Sequence, residues 1–189
     1  KTGDTLNIGQ YELLFVEMPM IHWPDSMMTF VKGPNVLFSN DAFGQHFAGA
    51  SIFEDENDEC MVMQEAMKYY AGILTPMSAL IKKKINEILD MNLPIEMIAP
   101  SHGSIWRKNP LRIVECYAKW SDNYDEGYVS IIYDTMYDAT KKMADAIARG
   151  LESKGILCKQ FNSSLTDMSD LITEIFKSKG IIVGSCTVH

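Results

Sequence analysis

The sequence is short of positive charge, of histidine and of paired cysteine, and it has no long apolar run. Seventeen Lys and Arg face 25 Asp and Glu, for a net charge of -8, and the cations form no stripe. That argues against nucleic acid or an anionic membrane surface as partner, since both need clustered Lys and Arg. No apolar run of about 18 residues and no signal peptide is visible, so neither a membrane span nor a secretory leader is expected. The four cysteines, Cys60, Cys116, Cys158 and Cys186, make no Cys-x-x-Cys pair. A zinc ribbon and a disulfide-stapled scaffold are therefore not indicated, and a reducing cytoplasm fits best. G-x-G-x-x-G and the Walker lysine are also missing, which lowers dinucleotide and nucleoside triphosphate readings. There is no internal repeat and no low-complexity linker. The acidic run Glu54-Asp55-Glu56-Asn57-Asp58-Glu59 lacks the alternating ligands and turn glycine of a calcium loop and is expected to be solvated.

What is present suits a folded α/β protein. The 189 residues are 47% hydrophobic and 22% charged, enough for one domain or parts of two. The polar stretch Ser121–Gly127 reads as a boundary, giving units 1–126 and 127–189. Past it the pattern alternates cleanly. Tyr128–Tyr133 is a β-rich run. Lys141–Lys154 puts Met143, Ala144, Ile147, Ala148 and Leu151 on one helical face, with Gly155 to stop it. Leu157–Phe161 is a second strand, Met168–Lys179 a second helix ended by Gly180, and Ile181–Gly184 a third strand. A βαβαβ order at this spacing predicts a parallel sheet with right-handed crossovers. A complete doubly wound domain would need about two more such units. The chain also begins at Lys1 rather than methionine, so it is expected to be a fragment cut at both ends.

The first unit is less regular. Gln10–Glu17 and Met28–Lys32 read as strands, and Val36–Phe38 is a short apolar run. Thr75-Pro76 looks like a helix start, a hydroxyl cap followed by proline. That helix runs to about Met91 with Met77, Leu80, Ile81, Ile85, Ile88 and Leu89 facing inward. Ile95–Ala99 is a further strand, followed by Pro100-Ser101-His102-Gly103.

Three polar residues stand just past apolar runs: His22, Asp41 and His102. Strand ends meeting at one sheet edge let distant segments converge on a metal, and imidazole with carboxylate suits zinc or iron. A carboxylate can also bridge two cations. Taken singly each is weak, since a loop histidine is more often only hydrogen-bonded and Asp after Ser-Asn also suits a turn. His46, five residues after Asp41, has a local ligand reading, while Trp23 and Phe43 are more often packing residues, with pocket lining as the alternative. In the second unit the loop Asp134-Thr135-Met136-Tyr137-Asp138-Ala139-Thr140 joins a strand to a helix N-terminus. Hydroxyls and backbone N–H groups there can surround a phosphate.

The order Met-Ile-His-Trp-Pro-Asp-Ser, Phe-Ser-Asn-Asp-Ala-Phe-Gly and Ala-Pro-Ser-His-Gly, followed by this loop, resembles the flavodiiron proteins. In that family a metallo-β-lactamase-like domain is fused to a flavodoxin-like one. The resemblance implies the C-terminal half of an αββα domain over 1–126 and the N-terminal βαβαβ part of a flavodoxin-like domain over 127–189. It implies that His22 ligates one iron, Asp41 bridges both, and His102 ligates the other, with His46 in the second shell or substrate cavity. The family's other ligands come from a His-x-Glu-x-Asp-His motif, which this sequence lacks. It further implies FMN held by Thr135, Met136, Tyr137, Ala139 and Thr140, with Ser185 and Thr187 from the next loop. There the family usually has proline in place of Cys186 and asparagine in place of His189. The implied activity is reduction of dioxygen to water, of nitric oxide to nitrous oxide, or both. Electrons would come from a rubredoxin-like protein or a reduced deazaflavin, and the assembly would be a head-to-tail homodimer. A zinc hydrolase, or an inactive remnant or subunit completed by another chain, is the alternative.

Overall fold

The structure, a computed structural model, describes residues 1–187 and divides into two units, 1–123 and 124–189. Unit 1 is built on five strands. β1 (Thr5–Ile8), β2 (Tyr11–Glu17), β3 (Met27–Lys32) and β4 (Val36–Asn40) run antiparallel in sequence order, and β5 (Met97–Pro100) joins β4 in parallel. Period-two alternation explains the register. Leu14, Phe30, Leu37 and Ile98 are matched across four strands and are all buried. The opposite face matches Leu6, Leu13, Val31 and Val36, which are half-buried or, at Leu6, exposed. The register shifts between Phe38 and Asn40, so the chain leaves the sheet at the residue before Asp41.

Between β4 and β5 lie α1 (Glu59–Tyr69), a π-helical turn at Tyr70–Leu74, a 3-10 turn at Thr75–Met77 and α2 (Ser78–Asp90); α3 (Pro110–Trp120) follows β5. The Asp58 carboxylate caps α1 by accepting from Met61 N at 3.0 Å. Val62, Ala66 and Tyr69, at i, i+4 and i+7, are its buried face. Tyr117 of α3 gathers the core: its ring lies 4.7 Å from Phe43 and 5.0 Å from Tyr70, and its hydroxyl accepts from Phe43 N at 3.0 Å.

Three readings of unit 1 are corrected. Thr75 does not cap the helix start; its hydroxyl donates to Tyr70 O and Ala71 O, closing the π-helical turn behind it. Leu80 and Leu89 do not face inward but are 46% and 47% exposed, because the buried stripe of α2 narrows to Ile81, Ile85 and Ile88. The acidic run is not simply solvated. Glu54 is buried and accepts from the N–H groups of Arg107 and Lys108, both at 2.9 Å, and Asp55 and Glu56 grip the Arg107 guanidinium. Helices α1 and α3 were not anticipated.

Unit 2 comprises β6 (Val129–Tyr133), α4 (Ala139–Glu152), β7 (Cys158–Asn162), α5 (Met168–Lys177) and β8 (Gly180–Gly184), with parallel strand order β7-β6-β8. Its core is Ile131 and Tyr133 against Ala144 and Ala148, with Leu151, Cys158 and Ile182 around them. Gly155 has φ +72, as a helix-stopping glycine needs. Gly180 opens β8 rather than ending α5, which stops at Lys177. The mixed α/β class with a parallel second sheet is thus the one expected. Among the described residues no helix is long and apolar enough to cross a membrane.

Candidate metal centre and phosphate loop

His22 sits in the loop between β2 and β3. That loop is closed by Met18 N to Ser26 O at 2.8 Å, Met20 N to Trp23 O at 2.8 Å and Trp23 N to Ser26 Oγ at 3.1 Å. Asp41 and His102 follow the parallel neighbours β4 and β5, whose ends are tied by Ser101 N to Asn40 O at 2.7 Å. Three segments distant in sequence thus converge. His22 Nε2 lies 3.1 Å from Asp41 Oδ2, and His102 Nε2 lies 3.9 Å from Asp41 Oδ1. All three side chains are about one-fifth to one-third exposed, so they are open to a ligand yet held.

Each carboxylate oxygen therefore faces a different imidazole. A carboxylate so placed can offer one oxygen to each of two cations. Among the described residues no group of three or more His, Cys, Asp or Glu is close enough to hold a metal ion by itself. Two imidazole nitrogens and one carboxylate fit part of a two-iron or two-zinc site.

His46 is exposed, its ring 5.1 Å from Tyr69 and 5.2 Å from His102, so it flanks the trio. Phe43 is core, and Trp23 is 59% exposed, 5.8 Å from the His22 ring. Sequence reasoning missed Tyr69, whose hydroxyl lies 3.3 Å from His22 Nε2. Burial, aided by the Asp41 charge, pushes its pKa well above the ordinary phenol value, so the hydroxyl keeps its proton. The signal was available: Asp58 as a cap and the spacing of Val62, Ala66 and Tyr69 mark the helix that delivers it. Gln45 was missed too. It is fully buried, and its backbone oxygen accepts from His102 Nδ1 at 3.1 Å.

In unit 2, the chain leaves β6 at Tyr133 and enters α4 at Ala139. Asp134 organises the turn: its Oδ1 accepts from Thr135 N and Ser164 Oγ, each at 2.9 Å, and its N–H donates to Gly184 O at 3.1 Å. Thr135 Oγ1 is buried with no hydrogen-bond partner. A buried orphan hydroxyl costs about 1–3 kcal/mol, and it lies beside a helix N-terminus whose first N–H groups, from Ala139 to Lys141, have no partner within the helix. A phosphate would satisfy both, so FMN fits this loop. Thr140 is buried, and an added Cβ at Gly184 would come 3.1 Å from its Cγ2, so the two loops meet there. Met136 and Tyr137 are 57% and 86% exposed, and Ala139, Ser185 and Thr187 are exposed as well. Asp138 adopts φ +59 with its side chain exposed and making no cap bond, so its charge stays in water. Val188 and His189 lie outside the described residues.

Residues 1–103 match the family model described as ODP family beta lactamase, and residues 131–189 match the flavodoxin model. Over its whole length the chain is 52% identical to the anaerobic nitric oxide reductase flavorubredoxin of Aliivibrio salmonicida (strain LFI1238), and 51% identical to that of Escherichia coli O1:K1 / APEC. It spans only 38% and 40% of those relatives. Among solved structures, it superposes on rubredoxin oxygen:oxidoreductase from Desulfovibrio gigas with a TM-score of 0.93 at 32% identity, covering 99% of this chain and 47% of that one. The flavodiiron protein of Giardia intestinalis gives 0.91 at 31% identity, with 100% and 46% covered.

Proposed function

We propose that this chain, which belongs to the flavodiiron family through an ODP-family β-lactamase-like unit joined to a flavodoxin-like one, is part of an oxidoreductase that reduces nitric oxide, dioxygen or both. The Asp41 carboxylate, with one oxygen toward His22 and the other toward His102, is the observation that carries this reading. His22, Asp41 and His102 would hold two iron ions; Thr135, Thr140, the start of α4, Ser185 and Thr187 would hold FMN. When bound, the flavin supplies electrons and the irons bind and polarise the diatomic substrate.

The chain's own residues supply position and a hydrogen-bond donor. Tyr69 Oη keeps a proton 3.3 Å from His22 Nε2. The rings of Tyr69, His46 and His102, about 5 Å apart, wall one side of the trio. The names of the relatives, flavorubredoxin and rubredoxin oxygen:oxidoreductase, support a rubredoxin-type electron donor, and a head-to-tail homodimer belongs to the same proposal. Metal analysis and an ultraviolet–visible spectrum of the protein containing this chain test it. Iron, flavin bands and consumption of nitric oxide or dioxygen are expected; zinc with no flavin would point to the hydrolase instead.

A further inference from the structure

Gln45 is fully buried and has no part in the reading above. A primary amide carries two donors and an acceptor oxygen, and burying them without partners is costly. Its partners all lie on the two loops that carry Asp41 and His102. Nε2 donates to Phe43 O at 2.9 Å and, at 3.4 Å, to Ser104 O, while Oε1 accepts from Ser104 N at 2.6 Å. The Gln45 backbone oxygen takes the hydrogen bond from His102 Nδ1 at 3.1 Å. A carbonyl oxygen can only accept, so Nδ1 is the donor in this hydrogen bond and Nε2 is the nitrogen turned toward Asp41 Oδ1.

The packing leaves no slack. A Cβ on Gly103, where φ is +81, would lie 2.4 Å from Gln45 Oε1 and 2.5 Å from its backbone oxygen; one on Gly44 would lie 2.7 Å from His102 Cε1. Both loops are in backbone contact, and the amide side chain is the clip between them. We infer that Gln45 is a positioning residue: its side chain ties the 43–45 segment to Ser104 and so holds its own carbonyl where it selects the His102 form with Nε2 toward Asp41. The purpose of this device rests on the proposed metal reading; its geometry does not.

The test uses the full-length protein with ¹⁵N-labelled histidine. In the metal-free wild type, His102 is expected to show the Nδ1–H form. Gln45→Met keeps the side-chain volume and removes all the amide hydrogen bonds. His102 should then drift toward the mixed tautomers of a free imidazole, and affinity for Fe²⁺ or Zn²⁺ should fall by about 10- to 100-fold, with flavin content and far-ultraviolet dichroism unchanged. Gln45→Asn is a methylene too short to span both loops and reads the same change where the thioether is not tolerated. A wild-type tautomer signal and metal affinity in both variants would overturn the inference. A wild type that takes up no metal, yet whose His102 signal responds to Gln45→Met, would sink the proposed function and leave the positioning role supported.

Discussion

Asp41 and Thr135 are single residues whose chemistry can be separated from the fold. Asp41→Asn keeps the shape of the side chain but removes the negative charge that two cations would share. Metal affinity is expected to fall by about tenfold or more, while flavin stays bound. Iron per chain, measured alongside flavin absorbance, checks this, and an iron count and turnover near wild type would refute the bridging role. Thr135→Val should act in opposite directions with and without flavin. In flavin-free protein it removes a buried hydroxyl that has no partner, and a gain of about 1 kcal/mol in thermal stability is expected. With flavin it removes a charge-assisted hydrogen bond, and affinity should drop by about 1.5–3 kcal/mol, roughly 10- to 150-fold. A loss of stability without flavin, together with unchanged flavin retention, would show that the hydroxyl serves only the loop.

At the scale of elements, two carboxylates hold segments that hydrophobic patterning alone does not. Glu54 collects the N–H groups of Arg107 and Lys108 and so fixes the chain a few residues past His102. Glu54→Ala strands both donors and is expected to cost about 2–3 kcal/mol in urea unfolding, with Glu54→Gln costing less. Glu174, on α5, works through charge. Burial alone would raise its pKa, but hydrogen bonds from Lys159, Lys177 and Tyr128 lower it from 4.5 to about 2. Its folded pKa lies below its unfolded one. The stabilisation is therefore complete above about pH 4.5 and is lost as pH falls toward 2. Glu174→Gln should flatten stability across that window in acid titrations followed by thermal melting. The elements of unit 2 were legible because each helix has an apolar stripe, β6 and β8 are compact β-branched runs, and Leu157–Phe161 falls between two helices at βαβ spacing. The His22, Asp41 and His102 segments were legible because each follows such a run. Helices α1 and α3 were passed over: Met61, Met63 and Met67 blur the apolar period of α1 behind its Asp58 cap, and α3 has no side-chain cap at Asn109 to mark its start. Thr75 misled because a hydroxyl before proline suits a helix start, and only the backbone path shows it bonding backward to Tyr70 and Ala71. Glu54 and Gln45 could not be found from sequence, because their partners lie more than 50 residues away.

At the scale of the whole molecule, the two units have separate sheets and separate candidate sites, and the donor count limits what these 189 residues can do by themselves. With Asp41 shared as proposed, each metal would receive one imidazole and one carboxylate oxygen from this chain. Two protein ligands fall short of the three or four that define a site. The surface adds a second limit. Leu6, Ile8, Tyr11, Met27 and Phe38 are exposed on the first sheet, and Ile181, Val183 and Met143 are exposed in unit 2; among the described residues β7 and β8 each leave one side unpaired. Open edges beside exposed apolar side chains favour association. Residues 1–189 expressed alone are therefore expected to self-associate, to bind Fe²⁺ weakly and to consume neither dioxygen nor nitric oxide. Sedimentation, iron analysis and gas-electrode traces measure these three properties on one preparation. A monomeric, iron-loaded, yellow product that consumes dioxygen would mean that other residues of this chain complete the metal site, and that Asp41 is not shared as proposed.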